Sequence, residues 1–269
     1  MRAFRHLPLV FSVFVLFTLA SCAESVEKIR KSSDVNYKLT KANEYYDKKK
    51  YAQASELYHD LLPVLRGTKN YEQLFYRYAY SFFYQGQYST AALYFKNFSE
   101  YFPASKDVEE TEYMYALCLV KDAPKSNLDQ TNTIHAMEAL QSFINTHPHS
   151  KRLNEANDFI EAGRKKLEKK ESDAALLYFN IGQYKAASVS YKYVLDQYPD
   201  SPEADYYQFM VVRSLYEYAK ISIPERQAER YVNTKEAYSV LKASYPSSKY
   251  VKDGEWYDVL ASTNLKKIQ

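Results

Sequence analysis

Phe102-Pro103-Ala104-Ser105 recurs three more times along the chain, as His147-Pro148-His149-Ser150, Tyr198-Pro199-Asp200-Ser201 and Tyr245-Pro246-Ser247-Ser248. From Pro103 to Pro148, Pro199 and Pro246 the successive steps are 45, 51 and 47 residues. A near-regular period of that size marks a repeat architecture. Proline lacks an N–H and restricts the residue before it, so it ends a helix. The serine two places on is expected to N-cap the next helix. Each phrase therefore reads as a corner between two helices.

Counting back from each proline, the fifth residue is Phe98, Phe143, Val194 or Leu241, and the eighth is Phe95, Leu140, Tyr191 or Tyr238. The twelfth is Ala91, Ala136, Ala187 or Thr234, and the fifteenth is Tyr88, Thr133, Tyr184 or Tyr231. Steps of three and four put these residues on one helical face. The small residue lets a neighbouring helix approach, and the large ones fill the groove between helices. Gly86-Gln87-Tyr88 and Gly182-Gln183-Tyr184 read as turns in which glycine takes a positive φ. Upstream of them lie Ala79 with Phe82, and Ala175 with Tyr178.

This order of small, aromatic, turn, small, aromatic and proline resembles the tetratricopeptide repeat. Tyr37 to Leu62 fits as a first, weaker unit, with Ala42, Tyr45, Tyr51, Ala54, Tyr58 and Leu61 in the matching places. Lys49 stands where the glycine is expected, and the terminal proline is missing. The third unit carries an insertion, Ala123 to Asn132, and the fourth a long first helix, roughly Lys151 to Ile181. The predicted fold is all-α, a tetratricopeptide-repeat superhelical solenoid of about five helix pairs over residues 37–269. Lys249 to Lys267, with Trp256, Val259, Leu260 and Leu265, is expected to form a C-terminal capping helix.

The N-terminus, residues 1–21, reads as a secretory signal, with Arg2 and Arg5 ahead of the apolar stretch Leu7 to Ala20. It closes on Leu19-Ala20-Ser21-Cys22, which resembles the lipobox of bacterial lipoproteins. That resemblance implies a covalent diacylglycerol and an N-acyl chain on Cys22, with no other cofactor. Residues 22–36 are expected to be the lipidated N-terminus and a short tether, because Ala23 to Asn36 is charged and serine-bearing. The formal charge is +3; removing the signal takes two arginines and no acid, leaving +1. Such a balance gives no basis for nucleic-acid binding. Cys118 sits in the apolar run Tyr115 to Val120 and is expected to be a buried core residue without a disulfide partner.

No arrangement suggests catalysis, and the chain is not expected to be an enzyme. His147 and His149 straddle Pro148 at a spacing that could touch a metal, but the matching corners carry Tyr198 with Asp200 and Tyr245 with Ser247. The pair reads as a surface turn, and no metal site is expected. Ser239 to Lys242 matches Ser-x-x-Lys only by chance within a repeat helix. The five glycines are dispersed and form no phosphate-cradling loop.

Tyrosine is the unusual resource, 29 residues against one tryptophan. In tetratricopeptide repeats the first helix of each pair lines a concave groove that commonly receives an extended peptide or a partner helix. Carried onto this chain, the groove positions are Asn36, Leu39, Asn43, Tyr46 and Asp47 in the first unit, then Gln73, Tyr76, Tyr80, Phe83 and Tyr84 in the second. Glu110, Tyr113, Leu117, Val120 and Lys121 follow in the third. Tyr46, Tyr76, Tyr80, Phe83, Tyr84 and Tyr113 are the candidate peptide-binding residues, because tyrosine offers a large contact area at low entropic cost and a hydroxyl for backbone groups.

A lipobox followed by such repeats and corners resembles the BamD family of outer-membrane β-barrel assembly lipoproteins. The resemblance implies a scaffold anchored in the outer membrane and facing the periplasm. Its C-terminal repeats would dock on the periplasmic domain of BamA. Its N-terminal repeats would capture C-terminal, aromatic-ended segments of unfolded outer-membrane β-barrel proteins. Two other readings remain open on the residues alone. One is a repeat lipoprotein of pilus or secretin assembly or of envelope division; the other is a glycan-binding lipoprotein, for which Trp256 would be the sole tryptophan platform.

Overall fold

A computed structural model of the chain describes residues 25–268; the signal stretch and Cys22 lie outside them. The described residues form twelve helices and no strand. In order they are α1 (Val26–Arg30), α2 (Val35–Asp47), α3 (Tyr51–Leu65), α4 (Tyr71–Tyr84), α5 (Tyr88–Tyr101) and α6 (Val108–Asp122). Then come α7 (Thr131–Thr146), α8 (Leu153–Asn180), α9 (Tyr184–Gln197), α10 (Ala204–Lys220), α11 (Pro224–Ser244) and α12 (Tyr250–Ile268). Five pairs and a capping helix match the predicted repeat fold, with α1 as an addition. The chain divides into two compact units between Asp122 and Ala123, so the predicted third pair contributes one helix to each.

The four corners share one backbone conformation. Phe102, His147, Tyr198 and Tyr245 have φ between −121° and −132° and ψ between 55° and 63°, and each N–H still reaches the carbonyl four residues back. The serines do not cap as expected, because each lies two or three residues before its helix. Instead each Oγ accepts the N–H two residues on, from Asp107, Arg152, Glu203 and Tyr250, at 3.0–3.1 Å. The hydroxyls of Ser105, Ser201 and Ser248 also donate backwards to an acid on an earlier helix of the same unit. Ser105 reaches Glu72 at 2.6 Å, Ser201 reaches Glu168 at 2.5 Å, and Ser248 reaches Asp205 at 2.7 Å. The corner therefore ties one hairpin to the next as well as turning the chain.

Within the hairpins, Gly86 and Gly182 take φ of +73° and +78°, and Lys49 takes +58° in the corresponding place. The N–H groups of Lys50, Gln87 and Gln183 close these turns on Tyr45, Phe82 and Tyr178. The residues counted back from the prolines are core: Ala91, Ala187 and Thr234 are fully buried, as are Phe95, Phe98, Tyr191, Val194 and Leu241. The inserted stretch 123–130 is closed by buried Gln130. Its Nε2 donates to the carbonyls of Lys125 and Leu128, and its Oε1 accepts from Thr133.

Two predicted segments differ in the structure. Residues 25–36, expected as a tether, hold α1, which buries Ile29 in the core of the first unit and pairs Arg30 with Asp60 of α3. The capping helix packs through Gly254, Tyr257 and Ala261, whereas Trp256 and Val259 point outward and are exposed. A Cβ on Gly254 would lie 2.8 Å from Leu241 and 3.0 Å from Tyr238, which is why the closest approach falls there. Cys118 is fully buried, and burial pushes its thiol up to about 12.

Candidate functional site

In the first unit, α2 and α4 present a run of rings. Tyr46 meets Tyr51 edge-on at 5.5 Å, and Tyr51 stacks on Tyr84 at 4.6 Å. Tyr84 continues to Tyr80 at 5.7 Å and Tyr80 to Tyr76 at 4.8 Å. Phe83 joins the run through Tyr80, Tyr84 and Tyr88. Steps of four along α4 (76, 80, 84) keep three of the rings on one stripe. Such edge-on and offset contacts each contribute about 0.5–1.5 kcal/mol beyond burial.

The candidates sit at different depths. Tyr113 of α6 is fully buried and offers no surface to a ligand, and Tyr80 is nearly buried beneath the face. Tyr46, Tyr76 and Phe83 are half-buried, and Tyr84 is exposed. α4 has neighbours on two sides, α3 and α5, so more of its circumference is covered than a two-faced helix reading assumes. Tyr80 donates its hydroxyl to Glu110 of α6 at 2.7 Å and meets Phe95 of α5 at 4.9 Å. Burial is the main cause that pushes the Tyr46, Tyr76 and Tyr80 phenols up. They are neutral at physiological pH and act as hydrogen-bonding groups.

Beside Tyr46 and Tyr76 opens a cleft of about 450 Å³, lined also by Lys69, Glu72, Gln73, Arg77, Lys106 and Asp107. Arg77 places its guanidinium over the Tyr46 ring at 5.0 Å, pairs with Asp47 at 3.1 Å and donates to Asn43 at 3.4 Å. Asn43 also accepts the Tyr58 hydroxyl at 2.8 Å, and burial pushes that phenol up to about 12. The polar groove positions Asn43, Asp47 and Glu110 thus hold the wall in shape. Arg77 was absent from the predicted set, although its spacing to Tyr80 and Tyr84 puts it on their stripe. Lys69, Lys106 and Asp107 lie in helix-connecting segments, where helical periodicity gives no signal. The His147 ring lies tilted against Phe143 at 5.1 Å, and among the described residues no group of acids, histidines and cysteines is placed to hold a metal ion.

The arrangement sets aromatic surface, hydroxyls and cations side by side on the first unit. The family described as YfiO, outer membrane lipoprotein, matches residues 31–204. The chain belongs to this family. A curated relative is the putative outer membrane protein assembly factor BamD of Aquifex aeolicus (strain VF5), 28% identical over 144 residues. That match covers 53% of this chain and 45% of the relative, so the chain spans less than half of that protein's length. Among solved structures, the TPR2AB domain of yeast Sti1 in its pHSP90 complex is similar at 12% identity and a TM-score of 0.41, covering 85% of this chain and 98% of that one. The TPR domain of P58(IPK) is similar at 15% identity and a TM-score of 0.40, covering 87% and 66%. Among the described residues no helix is long and apolar enough to cross a membrane.

Proposed function

We propose that this protein is a lipid-anchored scaffold of outer-membrane β-barrel assembly, held on the periplasmic face of the outer membrane through Cys22. Its first unit captures C-terminal, aromatic-bearing segments of unfolded barrel proteins, and its second unit docks on the periplasmic domain of BamA. The observation that carries the capture reading is the continuous aromatic face beside the Tyr46–Tyr76 cleft. Family membership and the relative's name support the assembly role. Binding involves no chemical step: aromatic side chains of the client bury against Tyr76 and Tyr84, and its backbone takes hydrogen bonds from hydroxyls and lysines. An unfolded client loses entropy on ordering, so affinity is modest.

The test is crosslinking in intact cells from photoreactive residues placed at Tyr76 and Tyr84 in the first unit and at Trp256 in the second. Barrel-protein C-termini are expected from the first two positions and BamA from the third. Recovery of a secretin, a pilus subunit or a sugar transporter in their place would overturn the assignment. Cys22→Ala is expected to move the protein out of the membrane fraction.

A further inference from the structure

The N-terminal segment is docked almost up to the anchoring residue. Ser25 N-caps α1, its Oγ accepting the Lys28 N–H at 3.3 Å. Four residues later Ile29 is 1% exposed, packed within the core of the first unit. Arg30 then grips Asp60 of α3 with two hydrogen bonds, Nε at 2.7 Å and Nη2 at 3.1 Å. A paired guanidinium and carboxylate of this kind fixes direction as well as distance. Only three peptide links separate Cys22 from Ser25, a reach of no more than about 11 Å. If α1 were free, the first fixed residue would be Val35, and the reach would grow to about 45 Å.

We propose that α1 is a latch that seats the α1–α3 face of the first unit on the bilayer surface. The proposal rests on lipidation of Cys22. With the acyl chains in the membrane and α1 docked, this face has no slack to leave the headgroup region. The face suits that neighbour. Lys28 and Lys31 stand exposed on α1 and at its C-cap, Lys31 paired with the exposed Glu27 at 3.3 Å, so this segment carries a net positive charge, and such charge beside an acyl anchor adds attraction to anionic headgroups. On α3, one turn beyond Asp60, Val64 is 56% exposed, an apolar side chain with headgroups to meet. The consequence is that the aromatic face is presented at a set height above the membrane rather than on a long leash.

The test uses the full-length, natively lipidated protein in vesicles of phosphatidylethanolamine and phosphatidylglycerol. A donor dye on Val64→Cys is paired with acceptor-labelled lipid; Cys118 is buried and stays unlabelled in the native protein. Strong energy transfer is expected, at least halved by Ile29→Asp and lowered by Arg30→Glu. The double variant Arg30→Glu with Asp60→Arg is expected to restore it, which separates docking from misfolding. Vesicle sedimentation reads the anchor independently. Proteins that sediment but show the same transfer with and without the latch substitutions would overturn the latch alone. Wild-type protein that does not sediment would overturn both the latch and the lipid anchor.

Discussion

The same place in the repeat is built twice, once in each unit, and furnished differently. Glu72 and Glu168, Gly86 and Gly182, and Ser105 and Ser201 are each 96 positions apart. In both units the glutamate takes the corner serine's hydrogen bond, and in both a cleft opens beside it, of about 450 Å³ in the first and about 440 Å³ in the second. Where the first unit has Tyr76, Tyr80 and Tyr84, the second has Ser172, Leu176 and Asn180. The second cleft draws its rings from elsewhere, Tyr198, Tyr206 and Tyr207, and sets them beside paired charge, Arg164 lying 3.6 Å from Asp200 and 3.7 Å from Glu161. The same frame thus accommodates different side chains on the stripe, with Tyr80 packed into the first unit and Tyr84 left exposed. What sets the first unit apart is the continuous run of rings along α4 beside its cleft, and the capture reading rests on that run.

The comparison can be broken most forcefully at the glutamates. Glu168 accepts from both Ser201 and Tyr207, the latter at 2.8 Å and buried, whereas the corner serine is the hydroxyl that Glu72 holds. Glu168→Ala is expected to cost about 2–3 kcal/mol and Glu72→Ala about 1 kcal/mol. Each loss can be read in its own unit, by the emission of Trp256, the chain's one tryptophan, for the second and by Cys118 labelling for the first. Equal costs would show that the two clasps are equivalent. Giving the first unit the second unit's furnishing, Tyr76→Ser with Tyr84→Asn, is expected to weaken a barrel C-terminal peptide about tenfold or more, some 1.4 kcal/mol. Lys165→Glu in the second cleft should leave that affinity unchanged in a titration.

The turns offer a smaller contrast. Gly86→Ala and Gly182→Ala each force a side chain into the left-handed region and are expected to cost about 1 kcal/mol. Lys49→Gly relieves the same conformation and should gain a few tenths of a kcal/mol, visible as a raised denaturation midpoint. The least effect is expected from acid. Arg30 holds the Asp60 carboxyl below its ordinary value, so docking of α1 is fully stabilised above that value. The contribution is lost as pH falls through the lowered one. Energy transfer from Val64→Cys should hold constant from neutral pH to about pH 5 and fall only in stronger acid.

Much of this was legible from residues close together in sequence. Proline and its neighbours dictated the corners, and the gap at Lys49 marked a left-handed turn that the chain adopts without glycine. What was not legible involved partners far away. Ser105 finds Glu72 and Ser201 finds Glu168 33 residues back, with nothing local to announce either pairing. α1 is five residues long with one buried side chain, too short for periodicity to register. The depth of Tyr80 depends on Phe95 of α5 and Glu110 of α6 meeting it, which spacing along a single helix cannot reveal.

The two kinds of joint divide labour in a way that bears on how such a chain can change. Corners 102–107, 147–152, 198–203 and 245–249 share their backbone geometry, and in each the serine Oγ accepts the N–H two residues on. Inner turns 48–50, 85–87, 181–183 and 221–223 are three residues each, whereas the segment 123–130, which joins the two units, is eight. Length is therefore most negotiable where one unit passes to the other. An affinity tag or a reporter peptide grafted between Lys125 and Leu128 should leave the repeat register intact, whereas the same graft at Ala104 would unfasten one hairpin from the next.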